Sequence, residues 1–503
     1  MNDHDIQKLH EAAEGGQPEA MLALGQKLLA ESRHGESASE DGERWLERAR
    51  KAGHPWAALA LGDLHSQRLL DPESLSRAAQ AYEEAASFGV PQAIDRLGDC
   101  FLIGWGKPED PAQALACYER TALLGYPVGF GHLAFCLEHG IGIEPDLGLA
   151  RTAKLWQAAF AYPRGYFASA RQLYEGTDRD PVAAYALALQ AERLGYPLAH
   201  GLAETIGQSL DPGEQKTGGE LSQALLAHHE RFEKEVAALE ARRAPELDRP
   251  GFLNDLALRH WNHEFTHPAL HLEPLPALAS RASTSAGLVR DGASPIRPLV
   301  LSTRPHVRTF PGFLDLETLA HVMELVWHEL GPVDQKISDA LSGEGQAFNG
   351  EVATLLFPQA DVVIHWIMAR LAEALAIPRA HVEPFSVLRY RVGHHYAEHV
   401  DYLDAPRLAE YRRMGDFGGQ RVQTFLIYLR APERGGETHY LENDLRVAGE
   451  SGLAVVHDNT LPGGEPDRTT RHAGDPIEAG EKWLLRTAIR EHALYGASAD
   501  ASR

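Results

Sequence analysis

The sequence predicts a multidomain chain: an all-α solenoid of helix-turn-helix repeats, followed by an α+β domain with a double-stranded β-helix, or jelly-roll, core. Three observations carry this expectation. A Gly-x-Pro step recurs at a near-constant period through the first two hundred residues. Short strand-like runs separated by Gly and Pro turns dominate the last third, and a stretch rich in Pro, Ala and Ser lies between the two textures.

The first observation is the most regular. The steps are Gly16-Gln17-Pro18, Gly53-His54-Pro55, Gly89-Val90-Pro91, Gly125-Tyr126-Pro127, Ala161-Tyr162-Pro163 and Gly195-Tyr196-Pro197, with successive prolines 37, 36, 36, 36 and 34 residues apart. Glycine can end a helix in a left-handed cap, and proline suits the first turn of the next one, so each step marks a helix-turn-helix joint. Seven residues beyond the proline stand Gly25, Gly62, Gly98, Ala134 and Ala170; two residues beyond it stand Ala20, Ala57, Ala93, Gly129, Gly165 and Ala199. Small residues at fixed positions let neighbouring helices approach closely. Cys100 and Cys136 also occupy equivalent positions, which favours small buried hydrophobes over a redox pair.

These residues, most clearly GVPQAIDRLGDCFLIGWGKPEDPAQALACYERTALLGYP (89–127), resemble the Sel1-like repeat family, relatives of tetratricopeptide repeats, over about residues 10–207. The resemblance implies a right-handed solenoid whose concave face binds peptides or proteins. A purely stabilising or oligomerising array is the alternative, since solenoid surfaces need not be used.

Residues 218–243 carry apolar positions at helical spacing and predict a long amphipathic helix capping the array. The Pro-, Ala- and Ser-rich run 272–298 reads as a linker. Domain boundaries are therefore expected at 1–210, 211–300 and 301–496. Between helix and linker, His260, His263, His267 and His271 are spaced so that some share a helical face, but Pro268 breaks that helix, and histidines without a defined second ligand pair are a weak metal signal.

The last third predicts helices over 316–330 and 361–377, then strands over 384–392, 397–403, 421–430, 452–459 and 482–491. Their antiparallel pairing closes naturally as a double-sheet jelly roll. On a strand, residues i and i+2 face the same way, so His399 and Asp401 project together. If a later strand brings His472 to the same point, two histidines and one carboxylate form a facial set that leaves positions open for cosubstrate and oxygen, the pattern of non-haem Fe(II). Ten residues after His472, Lys482 offers a cation to a dicarboxylate chelating that metal; Tyr390 and Thr424 are candidate hydroxyl donors to the same group.

The runs VLRYRVGHHYAEHVDY (387–402), QRVQTFLIYL (420–429), Arg434 to Thr438 and RHAGDPIEAGEKWLLR (471–486) resemble the prolyl 4-hydroxylase family of 2-oxoglutarate oxygenases over about residues 303–492. The resemblance implies His399, Asp401 and His472 as iron ligands and Lys482 as the 2-oxoglutarate anchor, assisted by Tyr390 and Thr424. Tyr396 falls where the family has a tyrosine on the substrate side; as a plain residue it is equally a core aromatic, as is Trp483. Gly435-Gly436 reads equally as a turn, and His394, His395, His439 and His457 read as packing or surface residues. The implied cofactors are Fe(II), 2-oxoglutarate and O2, with ascorbate as an accessory. The implied reaction decarboxylates 2-oxoglutarate to succinate and hydroxylates an unactivated C–H bond, on a prolyl residue of a peptide or protein recruited by the repeats.

Two departures bear on substrate. FNGEVATLLFPQ (348–359) replaces an arginine-and-serine motif of many relatives, and the charged run 405–420 is either a mobile lid or an exposed loop. Alternative functions are an interaction scaffold with an inactive oxygenase domain, and a hydroxylase of a free amino acid or other small molecule.

Composition bounds the partners. Of 503 residues, 71 are acidic and 48 basic, a net charge of −23 that disfavours nucleic acid and anionic membranes. Three cysteines, all in the N-terminal half, argue against a disulfide framework, and neither a signal-peptide core nor a run of roughly 18 apolar residues is present. A cytoplasmic protein is the expectation.

Overall fold

The computed structural model describes residues 3–31, 36–67, 71–242, 251–265, 267–278, 281–283, 288, 297–332, 348–413 and 418–494. The chain divides into two compact units, Met1–Gly165 with Leu226–Arg290, and Tyr166–Leu225 with Asp291–Arg503.

The repeats fold as antiparallel helices: α1 (Asp3–Glu14), α2 (Pro18–Glu31), α3 (Glu36–Lys51), α4 (Pro55–Ser66), α5 (Pro72–Ser87), α6 (Pro91–Ile103), α7 (Pro111–Leu123), α8 (Pro127–His139), α9 (Leu147–Ala159), α10 (Pro163–Glu175), α11 (Pro181–Arg193) and α12 (Ala199–Gln208). At the joints Gly53, Gly89 and Gly125 adopt φ of 84°, 78° and 75°, and Ala161 adopts 59°, the left-handed cap that the Gly-x-Pro spacing requires. The last joint keeps the cap at Gly195, with φ of 73°, but adds a second left-handed residue, Leu198 at 64°, and α12 begins at Ala199, two residues beyond Pro197.

A second punctuation alternates with the first. Asp71, Asp110, Asp146 and Asp180 cap α5, α7, α9 and α11, their carboxylates accepting from the backbone N–H groups of Glu73, Ala112, Leu149 and Ala183. Three of these aspartates precede proline at the first helical position, so Asp-Pro marks the start of the second helix in three repeats as Gly-x-Pro marks the first.

The small positions sit at helix crossings. A Cβ on Gly62 would stand 2.5 Å from the Tyr82 ring and one on Gly98 2.8 Å from the Tyr118 ring; Gly129 similarly meets the Ala122 backbone at 2.5 Å. Each tyrosine also donates across the crossing, Tyr82 to Asp63 (2.9 Å) and Tyr118 to Asp99 (2.7 Å), a polar pair repeated one period apart. Cys100 and Cys136 are buried and free, and burial pushes both thiols well above their ordinary value.

Helix α13 (Pro212–Ala241) begins six residues before the start expected at Gly218 and runs through Gly218 and Gly219. It is followed by α14 (Phe252–Glu264). The segment expected as a linker is not one where it is described. Leu272 and Leu278 are buried, and Leu278 N donates to Glu119 of α7 at 2.6 Å. Spaced leucines supply apolar anchors that the prolines and alanines around them obscure.

In the second unit, fourteen strands among the described residues form three antiparallel sheets. They are β1 (Leu299–Thr303), β2 (His306–Phe310), β3 (Gly331–Pro332), β4 (Glu351–Thr354), β5 (Ser386–Tyr390), β6 (Tyr396–His399), β7 (Arg421–Arg430), β8 (Arg434–Gly435), β9 (Thr438–Tyr440), β10 (Leu445–Val447), β11 (Ala454–Asp458), β12 (His472–Gly474), β13 (Ile477–Ala479) and β14 (Lys482–Arg490). The large sheet has the order β1-β2-β11-β7-β14-β5-β4-β3, the smaller β10-β9-β12-β6, and β13 pairs with β8. Val307, Leu388, Tyr428 and Leu484 of the large sheet and Tyr440 and Val447 of the smaller one share one core, which is the expected jelly roll.

Helix α15 (Leu316–Val326) packs against β7, and Phe313 meets Phe425 at 5.2 Å between ring centres on the outer side of the large sheet. Asp361 caps α16 (Val362–Leu375) and pairs with His321 of α15 at 2.6 Å. The charged run after Asp401 forms α17 (Ala405–Arg413); residues 414–417 of that run lie outside the described ones.

Candidate active site

Two strands of the smaller sheet build the centre. β6 ends at His399, and β12 pairs with it so that His472 stands directly opposite His399. Opposed residues of an antiparallel pair have Cβ atoms roughly 5 Å apart, so both imidazoles meet, with ring centres 4.2 Å apart. Asp401, two residues on, completes the group. One ligand atom from each of the three lies within 4.8 Å of the other two, and this is the sole such His/Cys/Asp/Glu cluster among the described residues. The His260–His271 histidines form none there: His260 pairs with Glu235, His271 with Glu273, and His267 caps a short 3-10 turn.

Each ligand is fixed from behind. Nδ1 of His399 lies 2.8 Å from the Ala397 carbonyl, and Nδ1 of His472 lies 2.9 Å from the Thr470 carbonyl. A carbonyl accepts only, so both nitrogens carry the proton, and both Nε2 lone pairs face Asp401 at 3.7 and 3.8 Å. Burial lowers both histidines below their ordinary value. Burial alone would raise Asp401, but Arg486 first and then the histidines hold its carboxyl well below the usual range. Neutral imidazoles beside an ionised carboxylate are the protonation state a divalent metal requires, so the donor set suits Fe(II).

Arg486 escapes the sequence reading. Its guanidinium donates to Asp401 Oδ1 at 3.0 Å from the face of β14 that also carries Lys482. The signal is available: 482, 484 and 486 share a strand face. His457, read as a packing residue, is fully buried on β11 between Tyr440, whose hydroxyl lies 2.9 Å from Nδ1, and Asp401, whose Oδ2 lies 3.4 Å from Nε2. That last contact is long for a hydrogen bond and acts electrostatically.

Lys482 is buried opposite Tyr390 of β5, its ammonium 5.2 Å from the Tyr390 and Tyr428 ring centres and 2.7 Å from the Gly436 carbonyl. Burial brings its amine down to about 8. Gly435 and Gly436 hold φ of 73° and 75°, and a Cβ on Gly436 would stand 2.4 Å from Ile477, so this turn presents a backbone carbonyl where a side chain has no room. One pocket is lined by His399, Asp401, His472, Lys482, Tyr390 and Tyr396, together with Thr438 and Arg486. Tyr396 stacks on His399 with ring centres 3.8 Å apart.

Thr424 is a correction. It pairs in register with Ala488 on β14, six residues from Lys482 and so roughly 20 Å along the strand. Its hydroxyl accepts from Asn459 instead. The hydroxyls near Lys482 belong to Tyr390 and to Thr438, which is bonded to Tyr428 at 2.8 Å. Spacing in sequence puts Thr424 on the correct strand face but not at the correct height. Trp483 faces outward into a stack with Trp327, a core role. Phe348 of the divergent FNGEVATLLFPQ run packs on Tyr390 and Tyr396.

Fold and site together define a class. Residues 385–490 match the family model described as the 2OG-Fe(II) oxygenase superfamily, and residues 91–126, 132–152 and 166–196 match the Sel1 repeat. The C-terminal domain is a 2-oxoglutarate-dependent Fe(II) dioxygenase domain, preceded by Sel1 repeats. Among relatives, the probable prolyl 4-hydroxylase 9 of Arabidopsis thaliana is 29% identical over 210 residues, spanning 38% of this chain and 71% of that protein; prolyl 4-hydroxylase 13 of the same plant is 29% identical over 206 residues, spanning 38% and 73%. Similar solved structures include the 2OG complex of the viral collagen prolyl hydroxylase of Paramecium bursaria Chlorella virus-1 (24% identity, 37% of this chain and 95% of that one, TM-score 0.28) and a Sel1 repeat protein from Oxalobacter formigenes (18%, 44% and 99%, TM-score 0.35).

Proposed function

We propose that this protein is an Fe(II)- and 2-oxoglutarate-dependent dioxygenase that hydroxylates a prolyl residue of a peptide or protein, with His399, Asp401 and His472 holding the metal and Lys482 holding the distal carboxylate of 2-oxoglutarate. The observation that carries this reading is the join of two buried groups in one pocket: a neutral-histidine and aspartate triad, and a lysine with no carboxylate hydrogen-bonded to it among the described residues. Bound there, iron and 2-oxoglutarate supply the oxidising chemistry that replaces a C–H bond by C–OH.

The protein's own share is placement. Ala397 and Thr470 fix the imidazole orientation, and Arg486 and His457 flank the two oxygens of Asp401. Lys482 supplies a buried cation, and Tyr390 and Thr438 supply hydroxyls beside it. Tyr396, stacked on His399 at the pocket wall, is the substrate-side aromatic. The prolyl substrate is inferred from the names of the relatives and from the family resemblance. Ascorbate as an accessory reductant and a cytoplasmic setting belong to the same proposal.

The test is conversion of 2-oxoglutarate to succinate with Fe(II) and proline-containing peptides, native chain against His399→Ala. The reading expects iron-dependent succinate and a product heavier by one oxygen on proline, both at background in the variant. Equal turnover by native and variant chains would sink it.

A further inference from the structure

Of the three residues of the triad, Asp401 has the least support from its backbone. His399 and His472 face each other as a ladder pair, but the ladder stops there: β6 ends at His399, β12 begins at His472, and the residues before it, Arg468–Thr470, coil into a 3-10 turn. On the outer side of β6 the described residues offer an isolated bridge from Phe348 to Tyr396, at the opposite end of the strand. Asp401 and Leu403 therefore lie beyond the last rung. A metal ligand has to be held to within roughly 0.5 Å of its working position, so something other than the ladder fixes this stretch.

A side chain does so. The Gln420 amide takes both backbone groups of Leu403, two residues after Asp401: Oε1 accepts from the Leu403 N–H at 2.6 Å, and Nε2 donates to the Leu403 carbonyl at 2.7 Å. This double exchange is what a hydrogen-bonded residue on an antiparallel strand would provide. Leu403 and Gln420 are both buried, so bonds left unmade there are not made up by solvent. Gln420 is itself rooted, since it immediately precedes β7 in the interior of the large sheet. Its Oε1 also accepts from the Arg421 N–H at 2.8 Å, its carbonyl accepts from the Glu491 N–H at 2.8 Å, and its N–H donates to the Glu491 carboxylate at 3.1 Å. The chain leaves this point at Leu403 and returns to it at Gln420, so the clamp ties the Asp401 stretch to the large sheet.

We infer that Gln420 is a positioning residue for the metal centre, its amide standing in for the missing strand partner and setting Asp401 beside His399 and His472. The inference rests on the reading that this triad holds a divalent metal. Among the described residues the hydrogen bonds of Gln420 go to Leu403, Arg421 and Glu491 and none to a side chain of the triad. Its effect therefore passes through the backbone between 401 and 403, whereas Arg486 and His457 act on the carboxylate itself.

The experiment titrates Co(II) into the full chain and follows the visible cobalt bands, with urea midpoints measured alongside. Gln420→Met keeps the length of the side chain and loses both bonds to Leu403; Gln420→Glu keeps the acceptor for the two N–H groups and loses the donor to the Leu403 carbonyl. Gln420→Met is expected to weaken Co(II) binding about 10- to 100-fold and to shift the bands at saturation, with Gln420→Glu between it and the native chain. Trp327→Leu, which removes the stack on Trp483 at the outer face of the large sheet, is expected to lower the urea midpoint and leave affinity and bands unchanged. Native affinity and bands in Gln420→Met, or an equal loss in Trp327→Leu, would overturn the inference and leave the triad standing. Co(II) binding no tighter in the native chain than in His399→Ala would remove the reading of the triad itself, and this inference with it. If Gln420→Met does not fold, Gln420→Glu decides; failure of both to fold would make the amide a folding element and likewise overturn the inference.

Discussion

Asp401 has both carboxylate oxygens engaged before any metal arrives: Arg486 lies 3.0 Å from Oδ1 and His457 3.4 Å from Oδ2. Groups that hold a ligand from behind typically change metal affinity about 10- to 100-fold when removed. Arg486→Leu is therefore expected to weaken Co(II) binding by about that factor, read by titration of the visible cobalt bands, while Arg486→Lys keeps part of it; unchanged affinity in Arg486→Leu would show that the arginine serves something else. Lys482 carries a pH dependence. Its amine, brought to about 8 by burial, is charged below that value, so 2-oxoglutarate affinity should fall as pH rises from 7 to 9, and the fall should vanish in Lys482→Met. The sign for stability is opposite. The unfolded lysine holds its proton up to the ordinary value, so between about 8 and that value the unfolded state binds more protons and native stability rises with pH. Isothermal titration across the pH range checks the first statement, and urea midpoints over the same range check the second. At this scale the sequence identifies His399, Asp401, His472 and Lys482 through motif spacing and leaves Arg486 unremarked, although strand alternation places it on the same face as Lys482.

At the scale of elements, the Gly-x-Pro period is legible because it arises from backbone constraints, a left-handed cap and a proline-compatible first turn, which act locally. The Asp-Pro caps act just as locally and are equally readable. The close approach at the crossings requires the partner helix to be known: Gly98 is small because the Tyr118 ring lies over it. Gly98→Val forces that ring aside and threatens its bond to Asp99, a carboxylate whose own value burial raises to about 8. Overpacking of this kind costs typically about 1–3 kcal/mol. The urea midpoint of the variant should drop accordingly, and a midpoint equal to the native one would mean that the crossing relaxes freely. The leucine-anchored segment 270–278 shows the reverse limit, because composition alone reads Pro and Ala as linker whether or not the leucines among them are anchored.

At the scale of the molecule, the charge of −23 sets a long-range preference for cationic partners. Association with a basic proline-containing peptide, followed by fluorescence anisotropy, should weaken as ionic strength rises from about 0.01 to 0.15 M, where the screening length falls from about 30 to 8 Å; salt-independent anisotropy would count against a charge-guided encounter. The jelly-roll core, with Tyr428, Tyr440, Val455 and Leu484 packed between the sheets, does not depend on a metal for its cohesion. Chelation should therefore abolish turnover yet leave the far-UV spectrum intact, with a loss of stability no larger than mass action allows, about 2.7 kcal/mol if metal had been at a hundredfold its dissociation constant.

By itself the sequence determined the period of the repeats, the class of the second fold and the four residues at its centre, because capping, strand alternation and motif spacing operate over a few residues at a time. The tertiary structure alone decided which distant strands share a register. That register set His472 opposite His399, moved Thr424 away from Lys482 and brought Arg486 and His457 onto Asp401; helix packing in the first unit likewise anchored residues 270–278. Pairing between strands and helices far apart in the chain depends on the whole packed core, which no local pattern encodes.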